Sequence, residues 1–338
     1  AVLRVTDKPA AGRIVHDAEW LPYTFDPSGR SLVFARVPEE VRRSAPFLDS
    51  EAIRSCELAL LPQPMVEKAA ETVQTVPVHF IFHTALCGST MLMRAINETG
   101  SATGIREPAI LLNLYHRMRT GSRIDEAHRL DLVLRLLARP FGDRAAVVIK
   151  PSCFVNPLVS DLLSHASGSR AVLLRSDLRA FLLGIAKRGP EARTWSRQVF
   201  ADLQQALPLD LGIDGGELTG LQAAGLVWLM RVWLFSQISS EHGPERALPV
   251  HADTVFADPV AAVSEISHFF GLPASGSLSD LHASGVFQWH SKETGRQFGT
   301  ADRSRELEAT RAAHGAQVET TARWVEELAA QRGIGLSK

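Results

Sequence analysis

The chain has 338 residues, of which 45% are hydrophobic and 22% are charged, and its net charge at pH 7 is −1. This size suits one large domain with embellishments, or one domain and a small second one, and it allows a full apolar core. The near-zero charge disfavours a nucleic-acid partner, because such proteins usually carry a basic excess.

The first 75 residues are expected to form an irregular N-terminal extension, whose role cannot be read from the sequence. One strand-like segment, 31–37, is followed by prolines at positions 38, 46, 62 and 64, which interrupt regular structure. The first 13 residues lack the apolar centre of a signal peptide. Three cysteines (Cys56, Cys87 and Cys153) form neither a metal-binding spacing nor a disulfide framework. We therefore expect a cytoplasmic protein.

From residue 76 onward the pattern changes to strands that alternate with helices. Apolar strands are predicted at 78–82, 145–149, 171–174 and 248–251. Strands that are separated by helices of this length indicate a parallel sheet with both faces covered. The sequence therefore predicts an α/β domain over 76–338.

The first of these strands leads into the most informative segment of the chain. The turn Gly88-Ser89-Thr90 enters a helix directly, so several backbone N–H groups and a helix N-terminus point to one spot. Such a turn binds anions, above all phosphate. In ATP-binding loops a lysine beside the glycine reaches the terminal phosphates, but here Ser89 takes that position. The loop therefore predicts a phosphate site that is poorly suited to an ATP γ-phosphate.

Ligands of parallel sheets bind at the carboxyl ends of the strands. This rule gathers residues 83–90, Lys150 and residues 175–179 into one crevice. The long apolar segment 221–238 lies outside this group. It is interrupted by Gln222, Gly225, Arg231 and Ser236, so it is not expected to span a membrane. Its helix is either a core element or one wall of an apolar ligand pocket.

Six segments, taken in order, resemble motifs of the sulfotransferases, which are P-loop-fold enzymes that use 3′-phosphoadenosine 5′-phosphosulfate (PAPS). They are Cys87-Gly88-Ser89-Thr90-Met91-Leu92, Arg106-Glu107-Pro108, Ile149-Lys150-Pro151, 174–180, 250–272 and His290-Ser291-Lys292. The resemblance covers roughly 77–330. It implies a three-layer P-loop NTPase-like fold with a central parallel sheet and helical insertions. It also implies metal-free transfer of a sulfuryl group from PAPS to a hydroxyl or amine of a small-molecule acceptor.

The resemblance also implies roles for individual residues. Arg175 and Arg179 would bind the 3′-phosphate of PAPS, and Lys292 could close over the nucleotide. The 5′ side of PAPS would be bound by the loop residues, which are Leu86, Cys87, Gly88, Ser89, Thr90 and Met91. Sulfuryl transfer needs a base near the acceptor and cations or N–H groups where negative charge grows.

We assign the cation to Lys150 and the base to Glu107 or His83. Each has a plain structural alternative. Lys150 could simply leave the sheet for solvent, His83 could bond a loop carbonyl, and Glu107 could favour a helix entry. The two arginines could be ordinary exposed residues at a helix start.

Three positions depart from the sulfotransferase pattern. Leu86 stands where most members have Lys or Arg, Ser176 stands where the 3′-phosphate arginine belongs, and Gly184 stands where a serine is usual. Two alternatives therefore stay open: a nucleotide-dependent phosphotransferase on the same fold, and a non-catalytic protein with a degenerate nucleotide or anion site. The acceptor and the oligomeric state, including a homodimer, cannot be read from the sequence.

Overall fold

The computed structural model describes residues 2–48, 50–121, 123–273, 281, 286–287 and 300–336. These residues form two β-sheets with helices packed around them. We number the elements in chain order.

The first 75 residues form a four-stranded sheet with helices, which we call the N-terminal sheet unit. Its strands are β1 (Val2–Arg4), β2 (Trp20–Phe25), β3 (Ser31–Arg36) and β4 (Glu57–Pro62), and its helices are α1 (Lys8–His16), α2 (Glu39–Ser44), α3 (Ser50–Ile53) and α4 (Gln63–Ala70). The strand order is β1-β4-β3-β2, with β1 parallel to β4 and the other pairs antiparallel. The expectation of an irregular extension was wrong here, because Pro38 follows a strand and Pro62 ends one. These prolines mark the ends of elements.

The larger sheet has five parallel strands. They are β5 (Val78–His83), β6 (Ala102–Arg106), β7 (Ala146–Lys150), β8 (Ala171–Arg175) and β9 (Ala247–His251), in the order β6-β7-β5-β8-β9. Alternate side chains point to opposite faces of a strand. On β5, Phe80 and Phe82 join one apolar cluster whereas Ile81 joins another on the opposite face. Both faces of the sheet are thus buried.

Helices cover both faces, and the predicted α/β architecture with a central parallel sheet is confirmed. The helices are α5 (Ser89–Glu98), α6 (Ala109–Thr120), α7 (Arg123–Leu137), α8 (Val159–His165), α9 (Leu178–Lys187), α10 (Gly189–Ala206), α11 (Gly220–His242), α12 (Ala252–Ala257), α13 (Pro259–Phe269) and α14 (Thr300–Gln331). Short 3₁₀ turns precede α8 and α11.

Helix α11 is a core element. By length and composition it could cross a membrane, but 78% of its most apolar window is buried inside the protein. It begins at a capping box, in which Thr219 and Gln222 bond each other's backbone N–H groups. A cavity lies at the carboxyl edge of the larger sheet, and among the described residues that line it none belongs to α11. Of the two predicted roles for this helix, core packing is the one that the structure shows.

The N-terminal sheet unit is fastened to the rest of the protein by a buried arginine. Arg139, which follows α7, donates to backbone oxygens of four residues in the unit: Ile14, Val15, Asp17 and Trp20. Two of these carbonyls lie in the last turn of α1, where the helix leaves its carbonyls without partners. The same apolar cluster also contains residues of both sheets, such as Phe34 and Phe80.

Candidate functional site

A cavity of about 870 Å³ lies at the carboxyl edge of the larger sheet. Its lining includes residues that follow four neighbouring strands: the loop after β5, Glu107 after β6, residues 152–154 after β7, and Ser176 after β8. Helices α9, α10 and α12 supply further walls. The structure therefore brings the predicted loop and Glu107 to one cavity.

The loop after β5 has an unusual backbone. Three of its residues adopt left-handed φ angles: Ala85 (72°), Leu86 (55°) and Gly88 (77°). Such angles cost a non-glycine residue roughly 1–2 kcal/mol, and they are commonly found at ligand sites. At position 88 only glycine fits, because a Cβ atom there would lie 2.5 Å from Cζ of Phe256.

The N-terminus of α5, residues 89–91, borders the cavity directly after this turn. A helix N-terminus carries partial positive charge and backbone N–H donors. Cys87 is buried in the loop, and burial raises the pKa of its thiol, so the thiol is not activated as a nucleophile. The loop and the start of α5 thus present backbone N–H and hydroxyl groups to the cavity, and groups of this kind suit an anion.

Lys150 and Glu107 form a buried pair beside this loop. Nζ of Lys150, which is 0% exposed, donates to Oε1 of Glu107. The Glu107 N–H also donates to the carbonyl of Lys150, at 2.6 Å. The side chain of Glu107 is 20% exposed and lines the cavity, whereas the ammonium lies behind it. The alternative in which Lys150 leaves the sheet for solvent is therefore wrong.

Glu107 has φ of 51°, a left-handed angle that a glutamate rarely adopts. The angle occurs where β6 ends and the chain turns towards α6 through Pro108. It is held by the hydrogen bonds to Lys150 that join β6 to β7. The carboxylate thus has a fixed place at the cavity, with a cation as its partner.

His83 lies at the end of β5 and is used structurally. Its Nδ1 accepts the N–H of Ala85 at 3.1 Å, so Nε2 carries the hydrogen and donates to the carbonyl of Pro151 at 3.2 Å. This tautomer is assigned from the hydrogen-bond geometry. Neither ring nitrogen has a lone pair left for the proton of an acceptor. Of the two candidate bases, the geometry favours Glu107.

The arginines predicted for the 3′ side lie away from the cavity lining. Arg179 binds two glutamates of α14, with Nε 2.8 Å from Oε2 of Glu319 and Nη1 2.6 Å from Oε1 of Glu326. These contacts raise the pKa of Arg179. Arg175 ends β8, and burial lowers its pKa. Neither side chain is among the described cavity-lining residues, and Lys292 lies outside the described residues.

Two arginines at the site were missed from the sequence. Arg188 directly follows α9 and lines the cavity. It stands four residues after Gly184, a spacing that places two residues on one helix face. This spacing from Gly184 could have indicated from the sequence that Arg188 belongs to the site.

Arg231 of α11 is fully buried. It donates to the carbonyls of Thr84, at 2.9 Å, and Cys153, at 3.4 Å, and its guanidinium lies 5.8 Å from the ring centre of Trp195. It therefore ties the loop after β5 to the segment after β7. In the sequence, this role was indicated only by the position of Arg231 as a single arginine within the apolar segment 221–238.

Two of the departures from the sulfotransferase pattern contact each other. A Cβ atom at position 184 would lie 2.8 Å from Cδ1 of Leu86, so the leucine side chain occupies the space in front of this glycine. The third departure, Ser176, lies in the cavity lining and its N–H donates to Oγ1 of Thr84 at 3.2 Å. Within the part of the chain that the structure describes, no cluster of three or more metal-binding side chains occurs.

No protein-family model and no curated protein matches the chain by sequence. Among solved structures, a sulfotransferase domain from the curacin biosynthetic pathway is similar to it, with 14% identity and a TM-score of 0.42, over 78% of this chain and 100% of that one. A sulfotransferase from Alicyclobacillus acidocaldarius has 15% identity and a TM-score of 0.42, over 74% and 97%. Retinol dehydratase in complex with retinol and PAP has 11% identity and a TM-score of 0.36, over 80% and 87%. The first two carry the name of the family that the motifs of this chain resemble.

Proposed function

We propose that this protein transfers a sulfuryl group from PAPS to a hydroxyl or amine of a largely apolar small molecule. The observation that carries the proposal is the placement of one carboxylate, Glu107, in the same cavity as the anion-binding loop, with the ammonium of Lys150 buried behind it. Glu107, as a base for the acceptor, thus lies next to an electropositive site for the donor. Cytoplasmic localisation stays a prediction.

The residues of the cavity fit PAPS on one side better than on the other. The loop around Gly88 and the start of α5 suit the 5′-phosphosulfate, since both favour negative charge. On the 3′ side Arg179 is engaged by glutamates, which leaves Arg188 as a cation that faces the cavity. PAPS, when bound there, would supply the sulfuryl group.

The chain's own residues have distinct tasks in this proposal. Glu107 accepts the proton of the acceptor hydroxyl or amine at its cavity-facing carboxylate. Lys150 keeps that carboxylate in place and supplies positive charge close to where negative charge grows. The acceptor's apolar body contacts Phe154 and Trp195, whose rings pack edge to face with centres 5.9 Å apart.

A second candidate function is a non-catalytic anion- or nucleotide-binding protein. It is favoured by the contact between Leu86 and Gly184 and by the ion pairs of Arg179, because both remove expected donor contacts. A phosphotransferase is disfavoured by Ser89 in place of the loop lysine.

The test combines calorimetric titration with a transfer assay. Adenosine 3′,5′-bisphosphate, ADP and ATP with magnesium are titrated into the wild type, Lys150→Ala and Glu107→Gln. A panel of phenols, alcohols and amines is then assayed with radiolabelled PAPS. We expect preferential binding of adenosine 3′,5′-bisphosphate, weaker binding by Lys150→Ala, and a loss of turnover of about 10²–10⁴-fold in Glu107→Gln with binding retained.

The surface pair Lys68 and Glu71 provides matched controls, because Nζ and Oε2 lie 2.7 Å apart but both side chains are exposed. Lys68→Ala and Glu71→Gln should change neither binding nor turnover. Binding without turnover of any acceptor by the wild type would support the second candidate. A preference for ATP with magnesium, or no nucleotide binding, would refute the sulfuryl-transfer proposal.

A further inference from the structure

The N-terminal sheet unit contributes a residue to the cavity. Phe47, which lies between α2 and α3, is a lining residue together with the loop after β5. The centre of its ring is 5.3 Å from Nζ of Lys150. The cation thus has the Glu107 carboxylate and an aromatic ring as neighbours. A ring at this distance attracts an ammonium electrostatically and excludes water from it.

The segment that carries Phe47 is bound to the strand that leads to Glu107. The N–H of Leu48 donates to the carbonyl of Arg106, at 2.9 Å, and Leu48 is fully buried. In return Nη2 of Arg106 donates to the carbonyls of Arg42 and Arg43, at 2.5 and 2.8 Å. Arg106 is itself buried. These contacts fix the position of Phe47 relative to the end of β6.

We propose that Phe47 is a specificity-determining wall of the active site, and that the N-terminal sheet unit completes that site. Its ring covers Lys150 and narrows the space available to an acceptor beside Glu107. Phe154 and Trp195 contribute further apolar side chains to the lining of the same cavity. The site therefore selects flat, apolar acceptors whose size is limited by the ring at position 47. The selection of acceptors rests on the proposed function, whereas the covering of Lys150 does not.

The first experiment measures the accessibility of Lys150 and needs no ligand. The folded protein is acetylated briefly with acetic anhydride, and the labelling of Lys150 is compared by mass spectrometry with that of exposed Lys68 in the same molecules. In Phe47→Ala we expect the ratio of Lys150 labelling to Lys68 labelling to rise on the order of tenfold, because burial of one aromatic side chain shifts an equilibrium by about this factor. Phe47→Leu keeps most of the wall and should give a smaller rise.

Phe269→Ala is the matched control, because Phe269 is partly buried beside Arg170 and is not in the described cavity lining. It should leave the ratio unchanged. Normalisation to Lys68 corrects for the dose of reagent, and matched circular dichroism spectra of the variants show whether a rise in the ratio comes from unfolding. An unchanged ratio in both Phe47 variants would overturn the inference, whatever the protein's activity.

The second experiment compares sulfation of phenol and 2-naphthol with PAPS. Phe47→Ala should raise kcat/KM for 2-naphthol relative to phenol on the order of tenfold, and Phe47→Trp should lower it. An unchanged preference in an active enzyme would overturn the role in specificity. If the wild type sulfates neither compound but Phe47→Ala exposes Lys150, the covering role is supported and the failure belongs to the proposed function.

Discussion

Replacing Arg139 by methionine would remove the side chain that fastens the N-terminal sheet unit to α7. The guanidinium is buried, with 4% of the residue exposed. It donates at 2.6–2.8 Å to four carbonyls, those of Val15, Asp17, Trp20 and Leu136. A fifth contact, to Ile14, is longer, at 3.4 Å. Methionine has a similar length and no donor, so all of these carbonyls lose the arginine, although that of Asp17 keeps the N–H of Trp20, at 3.1 Å.

The expected loss of stability follows from two opposing effects. A buried polar group that is left without a partner costs roughly 1–3 kcal/mol, so the carbonyls of Val15, Trp20 and Leu136 together represent about 6 kcal/mol. Burial, offset in part by Asp17, lowers the pKa of Arg139 to about 10, so removing the buried charge returns about 3 kcal/mol. The net fall in the free energy of unfolding should therefore be about 3 kcal/mol.

Urea unfolding at pH 7, followed by circular dichroism, measures this difference. Arg135→Met is the matched control, because Arg135 lies in the last turn of α7, four residues before Arg139, is exposed, and makes one hydrogen bond of 3.5 Å to the carbonyl of Ala70. That variant should lose less than about 1 kcal/mol. Equal losses in the two variants would refute the view that Arg139 fastens the N-terminal sheet unit to the end of α7.

Three further predictions concern single sites. Burial and a nearby arginine lower the pKa of His79 to about 4, whereas the unfolded histidine titrates near 6.5, so the free energy of unfolding of the wild type should fall by up to about 3 kcal/mol between pH 6.5 and pH 4. Urea unfolding at both pH values should show a smaller fall for His79→Gln, and an equal fall would count against this explanation. Arg179→Ala should leave the calorimetric affinity for adenosine 3′,5′-bisphosphate unchanged because its guanidinium is held by glutamates, and a tenfold weaker affinity would contradict this. Gly184→Ser should lower the melting temperature less in a Leu86→Ala background than in the wild type, because Cδ1 of the leucine lies 2.8 Å from the new Cβ; equal shifts in both would show that the side chains do not compete.

The larger sheet could be predicted because its strands are apolar on both faces and end at turn residues. One of its strands was missed. β6 reads Ala-Thr-Gly-Ile-Arg, too short and too weakly apolar to stand out. It is stabilised by parallel pairing with β7 along its whole length, a contact between distant parts of the chain. The N-terminal sheet was missed because its prolines were interpreted as interruptions.

The site was predictable where it depends on strand ends and less so where it depends on side-chain partners. Gly88 and Glu107 lie at the cavity because the ends of parallel strands meet at one edge. The engagement of Arg179 by Glu319 depends on α14, which is 140 residues away. Phe47 comes from the N-terminal sheet unit, between α2 and α3. Sequence spacing carries no information about either approach.

The departures from the sulfotransferase pattern are better understood together than one by one. Leu86 could replace a cation because Gly184 leaves room for it, and a serine at that position would be crowded by the leucine. Arg188 lies one helical turn beyond this glycine and lines the same cavity. Positive charge is thus found at the junction of α9 and α10 rather than on the loop. If the loop and Arg188 each bind one anionic group, as the proposed function requires, a ligand with two separated anionic groups should bind better than one whose groups are adjacent. This is the reason for comparing adenosine 3′,5′-bisphosphate with ADP, whose phosphates are adjacent.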